Sequence, residues 1–211
     1  MGGTVSPSAW RLYVITDEQV SRNRSHVEVA EAAIRGGADV LQFRDKTAGS
    51  GELYRVALAL RKMTHDANVP LIVNDRLDIA LAVDADGLHV GQDDLPAAVA
   101  RRLLGPGKLL GVSTETPEEA LQAEKDGADY LGVGPIFEAR GTKADAGAPQ
   151  GPGMIAPIRG CCRLPIVAIG GIKAANARSV REAGADAVAV ISDIVGAEDI
   201  EKAARRMKAL L

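Results

Sequence analysis

Gly37-Ala38-Asp39-Val40-Leu41-Gln42-Phe43-Arg44 joins the end of one helix-periodic segment to the start of an apolar run, and the chain repeats this junction. Gly-Ala-Asp returns at Gly127–Asp129 and Gly184–Asp186, with Ala85-Asp86 as a degenerate copy. Glycine there suits the residue after a helix, where left-handed backbone is needed. The β-branched runs that follow have the composition of strands. Marking such runs gives eight: Arg11–Thr16, Asp39–Arg44, Leu71–Asp75, Gly87–Gln92, Leu109–Ser113, Tyr130–Gly134, Ile166–Gly170 and Ala187–Ser192. Between them lie stretches of helical period, such as Val27, Ala30 and Ile34, or Leu53, Val56, Ala57 and Leu60. Thr116-Pro117-Glu118-Glu119 starts a helix with a capping Thr, Pro at the first position and acids in the first turn. Glu198–Leu211 reads as a final helix with Ile200, Ala203, Ala204, Met207 and Leu211 on one face. Eight βα units of about 26 residues each predict an α/β fold, a single (β/α)8 TIM barrel. The alternative, an open doubly wound sheet, lacks its G-x-G-x-x-G signature here. The domain reading is a flexible lead over residues 1–10 and a barrel over 11–211.

Composition narrows the function classes. The formal net charge of −3 leaves no nucleic-acid footprint. No apolar run reaches the roughly 18 residues that span a bilayer. The opening residues carry no basic segment followed by an apolar one, so a cytoplasmic protein is expected. Cys161 and Cys162 are adjacent, a spacing that fits neither a zinc site nor an unstrained disulfide, and they read as small packing side chains.

In this fold the βα loops at the C-terminal strand ends carry function. Period two puts Gln42, Arg44 and Lys46 on one face of the second run and Leu41 and Phe43 on the other. Two inward cations are costly unless an anion meets them. The third run ends in Asn74-Asp75 and the fourth in Gly91-Gln92-Asp93-Asp94. Carboxylates from these ends, beside Arg44 and Lys46, suit a Mg²⁺ ion shared with substrate phosphate oxygens. Spacing leaves open whether Asp93 or Asp94 is the ligand, the other capping the next helix. Ser113 ends the fifth run and can donate a hydroxyl hydrogen bond. After the sixth comes Gly134-Pro135-Ile136-Phe137, then an irregular stretch over 138–153 that holds Thr142 and Lys143 and reads as a lid. Gly170-Gly171-Ile172 and Ile191-Ser192 end the last two runs, where barrels of this kind bind phosphate through backbone N–H groups. Two anion-binding regions imply two phosphorylated substrates. His26 and His65 fall in exposed helical segments, and His89 reads as a packed or hydrogen-bonded core residue.

These residues together resemble the thiamine-phosphate synthase family. The motifs are QFRDK at Gln42–Lys46, NDR at Asn74–Arg76, HVGQDD at His89–Asp94, GVS at Gly111–Ser113, TK at Thr142–Lys143, IGGI at Ile169–Ile172 and IS at Ile191–Ser192. They run in family order over nearly the whole chain. The resemblance implies a transferase that condenses hydroxymethylpyrimidine diphosphate with hydroxyethylthiazole phosphate, giving thiamine phosphate and pyrophosphate by dissociative loss of pyrophosphate. It assigns Gln42, Phe43, Arg44, Asp45, Lys46, Asn74, Ser113 and Lys143 to the pyrimidine diphosphate, with Arg44, Lys46, Lys143 and Ser113 taking part in catalysis. It assigns Asp75 and Asp94 to Mg²⁺, and Thr142, Gly171, Ile191 and Ser192 to the thiazole phosphate. The family's Thr-x-Thr-Lys run departs here to Ala-Arg-Gly-Thr-Lys, which makes Arg140 the candidate replacement for the missing Thr. Related thiazole tautomerases lose the metal carboxylates and use a His two residues beyond the Ser of the fifth strand; this chain keeps Asp75 and Asp94 and has Glu115 there. A non-catalytic precursor-binding barrel is the other alternative. The expected partners are small-molecule substrates, without nucleic acid or membrane, and a homo-oligomer is allowed.

Overall fold

A computed structural model of the chain describes residues 6–138 and 148–211. Among them eight parallel strands close into a barrel in chain order. They are β1 (Leu12–Thr16), β2 (Val40–Phe43), β3 (Leu71–Asn74), β4 (Gly87–Val90), β5 (Leu109–Thr114), β6 (Tyr130–Val133), β7 (Ile166–Ala168) and β8 (Ala187–Val190). The helices are α1 (His26–Arg35), α2 (Ser50–Ala67), α3 (Leu77–Ala82), α4 (Ala97–Leu104), α5 (Pro117–Lys125), α6 (Ile155–Cys161), α7 (Ala177–Glu182), α8 (Ser192–Val195) and α9 (Ile200–Lys208). Each expected run holds one strand. The expected cap at Thr116 is present, its hydroxyl accepting from Glu119 N at 3.2 Å. Among the described residues no helix is long and apolar enough to cross a membrane.

The repeated Gly-Ala-Asp junction does more than stop helices. Gly37, Gly127 and Gly184 adopt φ of 94°, 89° and 107°, the left-handed geometry that a Cβ disfavours. The aspartate that follows, ahead of each even strand, then clamps the preceding odd strand. Asp39 Oδ2 accepts from Arg11 N and Leu12 N at 2.8 Å, Asp86 Oδ2 from Leu71 N at 2.8 Å, Asp129 Oδ2 from Leu110 N at 2.7 Å and Asp186 Oδ2 from Ile166 N at 2.8 Å. Each aspartate also pairs with a cation from the helix behind it: Lys208, Arg61, Arg101 and Arg159 respectively. These charge-assisted bonds tie the bottom of the barrel in four equivalent places. A fourfold sequence echo thus becomes a fourfold structural one.

Alternation sorts the strand residues. Leu12, Val14, Leu41, Phe43, Leu88, Val90, Leu131 and Val133 face the helices within the main core. Tyr13, Ile15, Val40, Ile72, Tyr130, Val167, Ala187 and Ala189 fill the barrel with Trp10. The expectation of a flexible lead over residues 1–10 is corrected at its end. Residues 1–5 lie outside the described residues, but Pro7–Ala9 form a 3-10 turn and Trp10 is fully buried. Its ring packs edge-on to Tyr13 and Tyr130 at 5.8 and 5.2 Å, so a large apolar side chain anchors the segment.

Two glycines on inward positions make room for polar side chains. A Cβ at Gly111 would overlap the Tyr130 ring and the His89 imidazole, and one at Gly132 would lie 2.9 Å from His89 Cε1. Gly111→Ala is therefore expected to cost about 1–3 kcal/mol through overpacking. Urea melts of the two proteins check this, and an unchanged midpoint would show that the interior has slack.

Candidate active site

Short strands leave their last residues in the loops at the C-terminal mouth, and nine of the expected site residues gather there. Arg44, Lys46, Asn74, Asp75, Asp94, Ser113, Gly171, Ile191 and Ser192 line one cavity. Gln42 lies one layer deeper, inside the barrel. Arg140, Thr142 and Lys143 fall outside the described residues, as does most of the expected lid.

The β2 end is cationic and its neighbours are acidic. Arg44 is 7% exposed and donates from NH1 to Asp17 Oδ2 at 2.6 Å; Asp17, just past β1, is itself 3% exposed. The Arg44 Nε is buried and has no hydrogen-bond partner among the described residues. Lys46 pairs with Asp75. Asp75 follows β3 with φ of 60°, a left-handed position that Asp tolerates better than most residues. Its backbone N–H donates to His89 O at 2.8 Å, which sets the loop against β4. Its carboxyl touches that of Asp94. Burial, with Asp94 beside it, holds Asp75 above the usual carboxylate range despite Lys46. Burial opposes ionisation of Asp94 too, but the Asp75 contact and the Gly91 N–H hold it low.

Asp94 Oδ2 accepts from Gly91 N at 2.8 Å, which folds the turn after β4. The expectation that Asp93 or Asp94 caps the next helix is corrected: α4 has Pro96 at its N-cap and no side-chain cap. Asp94 Oδ2 is taken up by the Gly91 N–H instead.

The opposite rim is built from backbone. Gly170 and Gly171 have φ of 101° and 59°, and a Cβ on them would lie 2.7 Å from Pro135 Cα and 2.6 Å from Glu138 O. Only glycine lets the β7 loop pass under the β6 loop and present its backbone to the cavity. Ile191 and Ser192 stand next to it at the start of α8.

A buried polar chain crosses the barrel below the cavity. Gln42 Nε2 donates to the Tyr13 hydroxyl at 2.8 Å, which lies 3.0 Å from the Tyr130 hydroxyl. Tyr130 is 3.2 Å from His89 Nδ1, and His89 Nε2 is 3.0 Å from Ser113 Oγ. Burial pushes both phenols well above their usual range, so they stay neutral. Each hydroxyl that accepts must donate onward, so the chain runs from the amide to a His89 Nε2–H aimed at Ser113.

Several sequence expectations change. Phe43 does not reach the cavity; it packs in the outer core, its ring 4.8 Å from His26, because alternation turns it away from Gln42 and Arg44. Asp45 also turns away, its Oδ1 accepting from Thr47 N at 2.8 Å and Ala48 N at 3.0 Å. His26 is 2% exposed rather than on the surface, since the β1 loop folds over it. Burial lowers its pKa against the pull of Glu18 and Asp45. His89 is hydrogen-bonded as expected, but it also lines the cavity. Asp17, Gln92 and Tyr130 were not singled out; Gln92 donates to Ser113 O at 2.6 Å.

The chain is similar to known proteins over nearly its whole length. The family model described as thiamine monophosphate synthase matches residues 12–194. Thiamine-phosphate synthase of Chloroflexus aurantiacus is 60% identical over 202 residues, covering 96% of this chain and 93% of that one. The Moorella thermoacetica thiamine-phosphate synthase is 54% identical, covering 94% of both. A solved thiamine phosphate pyrophosphorylase from Pyrococcus furiosus superposes with a TM-score of 0.88 at 40% identity, covering 97% of this chain and 96% of that one. With a family model spanning β1 to α8 and relatives this similar over nearly full length, the chain belongs to the thiamine monophosphate synthase family.

Proposed function

We propose that this protein condenses hydroxymethylpyrimidine diphosphate with hydroxyethylthiazole phosphate to give thiamine phosphate and pyrophosphate. The observation that carries the reading is the buried Arg44, which lines one cavity with Lys46 and the touching Asp75 and Asp94 carboxylates. Two hard oxygen donors on adjacent loops, next to cations suited to phosphate, fit Mg²⁺. The ion, when held by Asp75 and Asp94, supplies positive charge to the diphosphate as it leaves.

The chain's own residues do the rest. Arg44, oriented by Asp17, and Lys46 bind the diphosphate and stabilise the charge that grows as the pyrimidine methylene C–O bond breaks. The bonding pair leaves with pyrophosphate. The thiazole nitrogen then donates its lone pair to the methylene carbon, forming the C–N bond, and no side-chain nucleophile is needed. Asn74 and Ser113 orient the pyrimidine, with Gln42 and His89 fixing Ser113 through the buried chain. The backbone of Gly171, with Ile191 and Ser192, binds the thiazole phosphate across the cavity. Lys143 is proposed to add a third cation to the diphosphate, and Thr142 and Arg140 to contact the thiazole phosphate. Water must be kept from the methylene cation, a task that suits the segment after β6.

The test is direct. Protein, Mg²⁺ and both substrates should yield thiamine phosphate and pyrophosphate in equal amounts. No product under these conditions would sink the proposal. Thiazole isomerisation without metal would favour a tautomerase.

A further inference from the structure

A second group of potential ligands lies behind β2, outside the cavity. His26 opens α1, Glu18 lies in the loop after β1 and Asp45 follows β2; one ligand atom from each falls within 4.8 Å of the others. His26 Nε2 is 3.6 Å from Asp45 Oδ2 and 3.7 Å from Glu18 Oε1, beyond hydrogen-bond range. It is buried and has no hydrogen-bond partner among the described residues, on a side chain that is 1% exposed. We propose that Glu18, His26 and Asp45 form a binding site for a divalent transition metal of the Zn²⁺ class, separate from the Asp75 and Asp94 pair.

Geometry supports the site at two levels. Ligands about 2.0–2.2 Å from a tetrahedral ion stand roughly 3.3–3.6 Å from one another, close to the two spacings from His26, while the Glu18 and Asp45 atoms lie within 4.8 Å of each other. One imidazole nitrogen and two carboxylate oxygens match a dipositive ion in charge and leave a fourth position for water. An imidazole nitrogen disfavours Mg²⁺, which takes oxygen ligands.

The surroundings also hold the donors in place. His26 Nδ1 lies 2.8 Å from Thr16 Oγ1, and that hydroxyl donates to Gln42 O at 3.4 Å. The hydroxyl therefore accepts from Nδ1–H, which leaves a lone pair on Nε2 facing the two carboxylates. Metal-bound histidines are held by this kind of outer hydrogen bond. Asp45 Oδ1 is engaged by Thr47 N, Thr47 Oγ1 and Ala48 N, and this directs Oδ2 toward His26. Nearby Asp17 is committed to Arg44, so it does not compete. The Glu18 side chain is 56% exposed and gives the ion a route in. Since Asp45 sits between Arg44 and Lys46, the ion would brace the loop that carries both.

The experiment uses the full chain, stripped with a chelator and titrated with Co²⁺ alone. One Co²⁺ per chain should bind with the intense visible band of a four-coordinate ion. That band should persist in a double variant Asp75→Asn, Asp94→Asn. It should weaken at least tenfold in affinity in Glu18→Ala, whose exposed side chain can be removed without unfolding, and vanish in His26→Gln. Stoichiometric Zn²⁺ should raise Tm in the parent but not in Glu18→Ala. Absence of the band, or a band that survives Glu18→Ala and disappears with Asp75 and Asp94, overturns the proposal.

Discussion

Asp75→Asn is expected to lower turnover by about 10²–10³-fold while leaving thiazole phosphate affinity unchanged and the metal-free fold slightly more stable. The three effects come from one geometry. Asp75 touches Asp94 and is held above the usual carboxylate range by burial and by that neighbour. Two carboxylates pressed together cost stability unless a cation joins them, so neutralising one relieves the protein without metal. Asparagine tolerates the φ of 60° as well as aspartate does, so the backbone has no reason to shift. The lost Lys46 pair is half-exposed and worth little. The pH dependence has a definite sign. A carboxyl whose folded pKa is raised destabilises the fold as it ionises, so the relief from Asp75→Asn should be present above its folded pKa and fade at lower pH. Thermal melts at several pH values, with steady-state kinetics and thiazole phosphate titrations, check all three. A variant that loses thiazole phosphate binding in proportion to turnover would show that the two anion regions are not separate.

Arg44→Met is expected to cost both stability and activity. The Arg44–Asp17 pair is buried on both sides, and removing one member strands a charge in the interior. Such losses run to about 3–5 kcal/mol, a fall in Tm on the order of 10 °C for a chain of this size. Activity should fall because the guanidinium that faces the diphosphate is gone. The double variant Arg44→Met, Asp17→Leu separates the two effects. It replaces the ion pair by apolar side chains and should recover much of the stability, whereas turnover should stay low. If turnover returned with stability, Arg44 would be a structural residue only.

The barrel was legible because its cues are local. Runs such as Ile166–Ala168 and Ala187–Val190 are apolar, and a left-handed glycine plus a clamp aspartate stands before each even strand or its degenerate copy. The polar stripe of Gln42, Arg44 and Lys46 was legible for the same reason, since period two needs no tertiary knowledge. Phe43 and Asp45 show the opposite case. Membership in a shared motif suggested contact with substrate, while alternation had already turned Phe43 into the outer core. His26 is buried although a polar helix start looks solvated, because the β1 loop, with Arg22 and Asn23 at φ of 58° and 64°, folds over it. Tyr13 and Tyr130 were invisible as partners because they are 117 residues apart and both faces of their strands are apolar. Their meeting depends on barrel closure, which no local pattern encodes.

In the proposed site one mouth holds two anion subsites, of which only that at β2–β4 would use a metal. Calorimetric titration of the protein with hydroxyethylthiazole phosphate and with pyrophosphate, each with Mg²⁺ and with a chelator, tests it most directly. Thiazole phosphate should bind with the same affinity in both conditions and whether or not pyrophosphate is already bound, while pyrophosphate should bind tightly only with Mg²⁺. Competition between the two ligands for one site, or thiazole phosphate binding that vanishes with the metal, would contradict it.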